Sequence, residues 1–487
     1  MKQLLLSFIC VFCITLNYSQ TFTIDGLEYT VTDGTNVSVK KGNSTCPTGA
    51  LNIPETVEDN SITYTVTSIE TTGFIGCIDI TSISFPTSIT TIGVNAFNNC
   101  TGLTSITLPE GLISIDSAVF YNCTNLTSVN FPISLNSIGS SAFGNCASLA
   151  SASLPEGLTS IGQGSFQSCA SLTNVVLPDN LTSIDNYVFN NCTNLTNINF
   201  PSSLTTIGES AFGYCTSLTS VNLPNSLTNI ADFAFTSAGL ISVDIPENIT
   251  VINMSAFGYC SNLISVNFPS SLTTIGSSAF RSTGLTSVSL PASLTSINGF
   301  AFRDCTSLTS VSLSNGLTSI GQGSFQSCTS LISIDLPASL TSISDFAFQD
   351  CTSLTSVTAR MPTPPIINSN VFLNVNIEGM PLFVPSGSET LYQFENVWEE
   401  FLIQALSTAE INLLIALQLY PNPVKDLFNI SINNDLELQK INIYNSLGQN
   451  MLTTNSKEIA INSFQSGIYY VEVLTDKGKA TKQIIKQ

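Results

Sequence analysis

The chain has 487 residues, of which 9% are charged, and its 13 basic and 33 acidic side chains leave a formal net charge of −20; an average soluble domain is roughly 25% charged. No lysine stands between Lys41 and Lys425, and the only arginines are Arg281, Arg303 and Arg360, so the basic stripe that a nucleic-acid groove needs is missing. Histidine is absent altogether, which removes Ser-His-Asp and Cys-His catalysis and weakens any case for a metal site.

The first element is a leader. Lys2 precedes an apolar run from Leu4 to Leu16 and the small-polar stretch Asn17-Tyr18-Ser19-Gln20, the order of a secretory signal peptide spanning residues 1–20. Phe12 and Ile9 stand where a lipobox wants a small residue, so a lipid anchor is not expected. A later apolar run, Ile411 to Leu419, is shorter than the ~20 residues needed to cross a bilayer. Residues 21–70, with Tyr29, Val31, Val37 and Val39 alternating around Gly34, predict a short β cap.

A repeat then takes over, at residues 71–360. Phenylalanine falls at 74, 97, 120, 143, 166, 189, 212, 235, 257, 280, 302, 325 and 348, a spacing of 23 broken by two steps of 22. A fixed period of this size marks a stacked array whose units bury their apolar faces against one another. Each unit contains L-x-x-V-x-L, as in Leu218-Thr219-Ser220-Val221-Asn222-Leu223, closed by Pro224. Its last four residues alternate as a strand does, and proline ends the run. A second apolar pair follows, here Leu227 and Ile230, and the stretch to the next phenylalanine leaves room for one helical turn at most. The rings are expected to form a buried spine, worth about 2–3 kcal/mol each.

Of the 14 cysteines, Cys10 and Cys13 leave with the leader, and eleven stand three residues after a repeat phenylalanine. The two units without one, after Phe235 and Phe280, are the two that are one residue short; there C-T-S-L becomes Ala238-Gly239-Leu240 or Thr283-Gly284-Leu285. Cysteine, turn residue and length change together, as they do for a packing residue. Buried thiols are expected. Some disulfides remain open in an exported chain, with Cys46 paired or free, and a metal site stays the remotest option.

Residues flanking the central apolar position of each L-x-x-V-x-L should face solvent. In the middle of the array they are Asn174, Asn197, Asn199, Asn222, Asp244 and Asn267, the candidate ligand face: side chains one strand spacing apart that either hydrogen-bond along an extended ligand or merely ladder with each other. The repeat consensus has no exposed aromatic column, which counts against sugar stacking. Its N-x-T sequons, such as Asn125-Leu126-Thr127, follow from the Asn- and Thr-rich repeat and are not read as glycosylation sites.

At 361–404 the pattern changes to M-P-T-P-P, Leu382-Phe383-Val384-Pro385 and an aromatic-acidic stretch ending Trp398-Glu399-Glu400-Phe401. The single tryptophan either closes the open end of the core or serves as a sugar platform. After a linker at 405–417, residues 418–487 carry seven of the ten lysines and alternate apolar and polar residues, as in Lys440-Ile441-Asn442-Ile443-Tyr444-Asn445. This predicts a small all-β domain of five to seven strands.

The I-x-x-x-A-F-x-x-C-x-x-L-x-x-V-x-L-P unit resembles the BspA-type leucine-rich repeats of bacterial surface proteins over roughly residues 21–404. The resemblance implies a leucine-rich-repeat solenoid of about 13 repeats of 23 residues, with parallel β ladders and short helical turns, joined to a C-terminal all-β sandwich. Leu419-Tyr420-Pro421-Asn422-Pro423, the I-Y-N-S-L-G-Q stretch and the basic ending resemble the type A sorting domain of the Bacteroidetes type IX secretion system. That implies secretion or display at the outer-membrane cell surface, with the domain engaging the secretion machinery and then being removed. No matched carboxylate pair, Gly-rich phosphate loop or cofactor motif is present. The reading is therefore an exported binding or adhesion protein, without catalysis or cofactor, that offers a polar face to an extracellular protein; a glycan-binding protein or a passive surface-layer component is the alternative.

Overall fold

The computed structural model describes residues 20–406, 417–422, 424–432, 437–445, 449–476 and 478–486. Apart from Gln20, the leader lies outside the described residues, as does most of the expected linker. The chain forms two compact units: one runs to Ser293 and takes in Asn298–Thr306, the other comprises Leu294–Ile297 and all that follows from Ser307.

The first unit opens with strands Thr21–Ile24, Leu27–Val31, Asn36–Lys41, Ile62–Ile69 and Thr56–Asp59, hydrogen-bonded in that order. Tyr29, Val37, Val39, Tyr64 and Val66 form its buried side. Asp33 fixes one turn by accepting the amides of Thr35 and Asn36, both at 2.9 Å. The same sheet then feeds the array, because Ile62–Ile69 continues in parallel with Thr91–Ile92.

Most coils contribute two short parallel strands. One is the x-V-x segment, as in Ser151–Ser153, Asn174–Val176 and Asn197–Asn199, stacked in 23-residue register. The other is the Ser/Thr-Ile pair, as in Ser114–Ile115, Ser137–Ile138 and Ser160–Ile161. The predicted alternation holds: Val175 and Ile198 are buried between exposed neighbours. Between the strands and the next coil the backbone makes consecutive turns. Among the described residues, helix is confined to Gly42–Ser44, Glu389–Gln393 and Trp398–Glu400. Alternate turn residues reach the next coil: the amides of Phe233, Phe235 and Ser237 donate to the carbonyls of Met254, Ala256 and Gly258 at 2.8–2.9 Å.

Within this unit the spine rings from Phe74 to Phe302 stack at 5.2–5.7 Å with planes within 20° of parallel. A second set of rings lies edge-on against them: Phe85, Phe131, Phe200 and Phe268 meet Phe97, Phe143, Phe212 and Phe280 at 79–89°. T-shaped contact sets a positive ring edge on a negative face.

The cysteine ladder is mostly thiol. Ten cysteines, Cys100 to Cys351, are free and buried. In the first unit, Sγ of Cys100, Cys123, Cys146, Cys169, Cys192, Cys215, Cys260 and Cys305 donates to the carbonyl of the preceding coil's phenylalanine at 3.0–3.3 Å. Burial pushes the Cys146, Cys192 and Cys260 thiols up to about 12. Where cysteine is lost, Thr283 takes its place and donates to Phe280 O at 2.9 Å. The glycine that follows is required by close approach, since a Cβ on Gly284 would sit 2.6 Å from the Ser261 carbonyl oxygen. The exception is Cys77, the first rung, which forms a disulfide with Cys46 from outside the ladder.

In the second unit the spine continues through Phe325, Phe348 and Phe372, one ring beyond the last repeat position. Trp398 closes it. The indole is fully buried, lies edge-on to Phe372 and Tyr392, and donates Nε1–H to Pro365 O at 2.9 Å. Strands Pro381–Pro385 and Leu402–Leu406 extend the parallel ladder past Ser356–Ala359. The C-terminal segment is two antiparallel sheets, of three and four strands, around a core of Phe428, Ile441, Ile443, Ile459, Val471, Val473 and Ile484. Asn422 of the Y-P-N-P motif ties its ends together, donating to Gln483 O and accepting from Ile485 N at 3.0 and 2.9 Å.

Candidate ligand-binding face

All six candidate side chains are exposed. Asn174 pairs in register with Asn197, and Asp244 with Asn267. They do not form one unbroken row. The ladder of Ser151–Ser153, Asn174–Val176 and Asn197–Asn199 ends there and a new one starts at Ser242–Asp244, while Thr219–Leu223, the coil that carries Asn222, has no strand. Beside it lies the shortened coil after Phe235: Ile241 N bonds Thr219 O, 22 residues back, where the regular step is 23, as in Thr196 N to Thr173 O. Val176, 50% exposed, also interrupts the column between Ser153 and Asn199.

The side-chain bonding divides the set. Asn267 Nδ2 donates to Asp244 Oδ1 at 2.5 Å, and Asn130 donates to Thr107 at 3.2 Å, so these rungs ladder with each other. Asp335, in the same column, is clamped by Arg360 through two contacts of 2.7 Å. Among the described residues the side chains of Asn174, Asn197, Asn199 and Asn222 make no hydrogen bond. Elsewhere amides and hydroxyls are tied into the fold: Asn122 donates to Asn99, Asn145 to Tyr121, and Thr127 and Thr196 to carbonyls one coil back. A short run of uncommitted amides thus sits on the face, three of them on adjacent rungs.

The repeat consensus has no exposed aromatic column, but single coils depart from it. Aromatic side chains do stand exposed on the repeats, with Tyr214 52% and Tyr259 44% accessible. They occupy the turn two residues after the spine phenylalanine, where other coils carry Asn, Ser, Asp or Gly, so the consensus hides them. Among the described residues no group of His, Cys, Asp or Glu could hold a metal ion, and no helix is long and apolar enough to cross a membrane.

The repeat geometry decides the relationship. Residues 67–196, 182–297 and 274–393 match the BspA type leucine rich repeat region, and a leucine-rich repeat protein from Bacteroides ovatus shares 32% identity over 79% of this chain and all of its own, with a TM-score of 0.69. The chain belongs to the BspA-type leucine-rich-repeat family. Similar solved structures include a leucine rich cell surface protein from Faecalibacterium prausnitzii, 25% identical over 80% of this chain and 95% of its own with a TM-score of 0.40. Another is the leucine rich repeat protein of T. pallidum, 29% identical over 41% and 91% with a TM-score of 0.36. No curated protein matches. Residues 418–487 match the secretion system C-terminal sorting domain. This BspA-type protein is therefore exported by the type IX route to the cell surface or the medium.

Proposed function

We propose that this BspA-type protein acts by binding rather than catalysis, and that the strand face of its middle coils takes an extended segment of an extracellular protein. The observation that carries this reading is the set of exposed amides on Asn174, Asn197 and Asn199 that bond nothing in the fold. Each primary amide has two donors and an acceptor carbonyl, and neighbouring rungs stand about 4.8 Å apart. The three amides lie on two adjacent rungs, Asn174 on one and Asn197 and Asn199 on the next, so a main chain laid across them meets amides on both. Amides already paired, as at Asn267 and Asp244, have less to offer. The sorting domain supports the setting, because it delivers the face to the outside of the cell, where a protein or another cell is the partner.

The test uses full-length protein and an Asn174→Ser, Asn197→Ser, Asn199→Ser variant, serine being the residue of most other coils at the first two positions and that of Ser84, Ser153, Ser289 and Ser312 at the third. Both are measured against immobilised extracellular matrix proteins. The variant should lose affinity for whichever protein is retained. A change below about 0.5 kcal/mol, the range of neutral surface substitutions, refutes the assignment of the face.

A further inference from the structure

The turn edge of the first unit carries aromatic side chains in four successive coils, none of them part of the spine. Tyr187 stands two residues before Phe189, Tyr214 two after Phe212, Phe233 two before Phe235, and Tyr259 two after Phe257. All four have positive φ, between 58° and 61°. Bulky L-residues avoid this left-handed region, whereas Asn and Gly accept it. After the phenylalanine, other coils place Asn99, Asn122, Asn145 and Asn191 in this region, and before it one coil has Gly164, although Phe300 and Phe346 also stand two residues before a spine ring with positive φ. The strained choice is not explained by burial, since Tyr214 and Tyr259 rank among the exposed large hydrophobics.

The arrangement has a period of its own. Positions before and after the spine ring alternate from coil to coil, so the rings form two staggered rows. Rings in one row are two coils apart, about 10 Å by the strand spacing, and the spine rings of those coils are 5.3 and 5.5 Å apart. An extended β-linked polysaccharide turns over at each sugar and repeats every second one, at about this length. Small neighbours flank the exposed rings: Gly213, Ser237 and Gly258 leave their surroundings low. The rings are isolated from one another by polar and small residues, unlike the contiguous apolar patch at which a protein docks.

The strip ends on cations. Arg281 sets its guanidinium 5.4 Å from the Tyr259 ring centre, and Arg281 and Arg303 share a single carboxylate, Asp304, at 3.3 and 3.4 Å. Between Lys41 and Arg360 these are the only basic residues in the chain, and here two positive charges face one negative.

We propose that this edge is a glycan-binding site. Sugar C–H bonds stack on Tyr214 and on the face of Tyr259 that Arg281 leaves open, and Arg281 and Arg303 pair with a uronate carboxylate at that end. It is a second site, independent of the polar strand face. The full-length protein is tested by calorimetry against cellohexaose, which is neutral, and hyaluronan hexasaccharide, which bears uronate at alternate sugars. Both should bind, the acidic sugar several-fold more tightly at low salt. Tyr214→Asn with Tyr259→Asn installs the residue other coils use there, keeps the fold, and should weaken both sugars at least tenfold. Arg281→Gln should abolish only the preference for the acidic one. Binding of neither sugar by the wild type, or unchanged binding by the double variant, overturns the proposal, as does a double variant that loses retention on matrix proteins while sugars are ignored. Loss of protein binding in the Asn174, Asn197, Asn199 variant with sugar binding intact separates the two sites.

Discussion

Replacing Phe212 by alanine tests the spine at one of the rings that also receive an edge-on neighbour. The ring stacks on Phe189 at 5.5 Å and Phe235 at 5.3 Å and receives the edge of Phe200 at 5.5 Å. Phe166 is equally buried but has only its two stacking partners, Phe143 and Phe189. Truncating either ring removes the transfer energy of the side chain and leaves a cavity, together about 3–5 kcal/mol. The edge contact adds about 0.5–1.5 kcal/mol, so Phe212→Ala should lie above Phe166→Ala by that margin. Long repeat arrays depart from two-state unfolding, so amide hydrogen exchange read coil by coil is the suitable assay. Protection should fall in the coils centred on Phe189, Phe212 and Phe235 and stay near wild type four coils away, because coupling runs between neighbours. A loss below about 1 kcal/mol, an even loss along the array, or a larger loss at Phe166 would refute this account of the spine.

The thiols give three further expectations, and the sorting tail a fourth. Alkylation without reductant should be slow in the native protein and, after denaturation, reach the ten free cysteines but not Cys46 and Cys77; labelling of fewer than half contradicts the packing role. Burial raises the folded-state value of thiols such as Cys192 from 9.0 to about 12, so the stabilisation they give is complete below the unfolded value and is lost as pH climbs through the folded one. Melting temperature should therefore fall steeply from about pH 9 upward, and Cys192→Ala should flatten that slope; an unchanged slope would show the thiol ionises freely in the fold. Cys46→Ala opens a loop with a sequence separation of 31 and should cost about 2–4 kcal/mol, visible as earlier exchange in the cap strands and not in the coils near Phe257. Intact mass of the secreted protein should lack about the first twenty residues and the Pro421-containing domain; a secreted species retaining residues 440–487 would contradict removal of the tail.

The period of the sequence revealed what depends on a repeated side chain: the spine, the thiol ladder and the in-out alternation of Asn174–Val176, while the closing role of Trp398 was legible from its place just past the end of the array. It was less informative wherever one coil departs from the rest. Phe372 follows Phe348 by 24 residues without the A-F-x-x-C frame, so the fourteenth ring was not anticipated. Phe131 and Phe200 occupy a position that is leucine in most coils, and their edge-on contacts depend on where the neighbouring coil's ring stands. Asn222 fits the column by counting, yet its coil has no strand there. The Cys46–Cys77 bridge joins a cap loop to the first rung, a proximity that no spacing encodes. Tyr214 and Tyr259 are hidden by averaging, because each replaces a consensus polar residue in a single coil.

The uniform register has an evolutionary corollary. Ser151, Asn174 and Asn197 meet in 23-residue backbone register, so a full-length coil copied in frame by gene duplication arrives with both of its faces already matched. The lineage can lengthen or trim the array in whole coils without solving a new packing problem. Surface residues, which take no part in that matching, are free to diverge copy by copy. Any ligand spacing such proteins adopt is then quantised in units of one coil, and new specificities can arise by moving a decorated coil rather than by remodelling the scaffold.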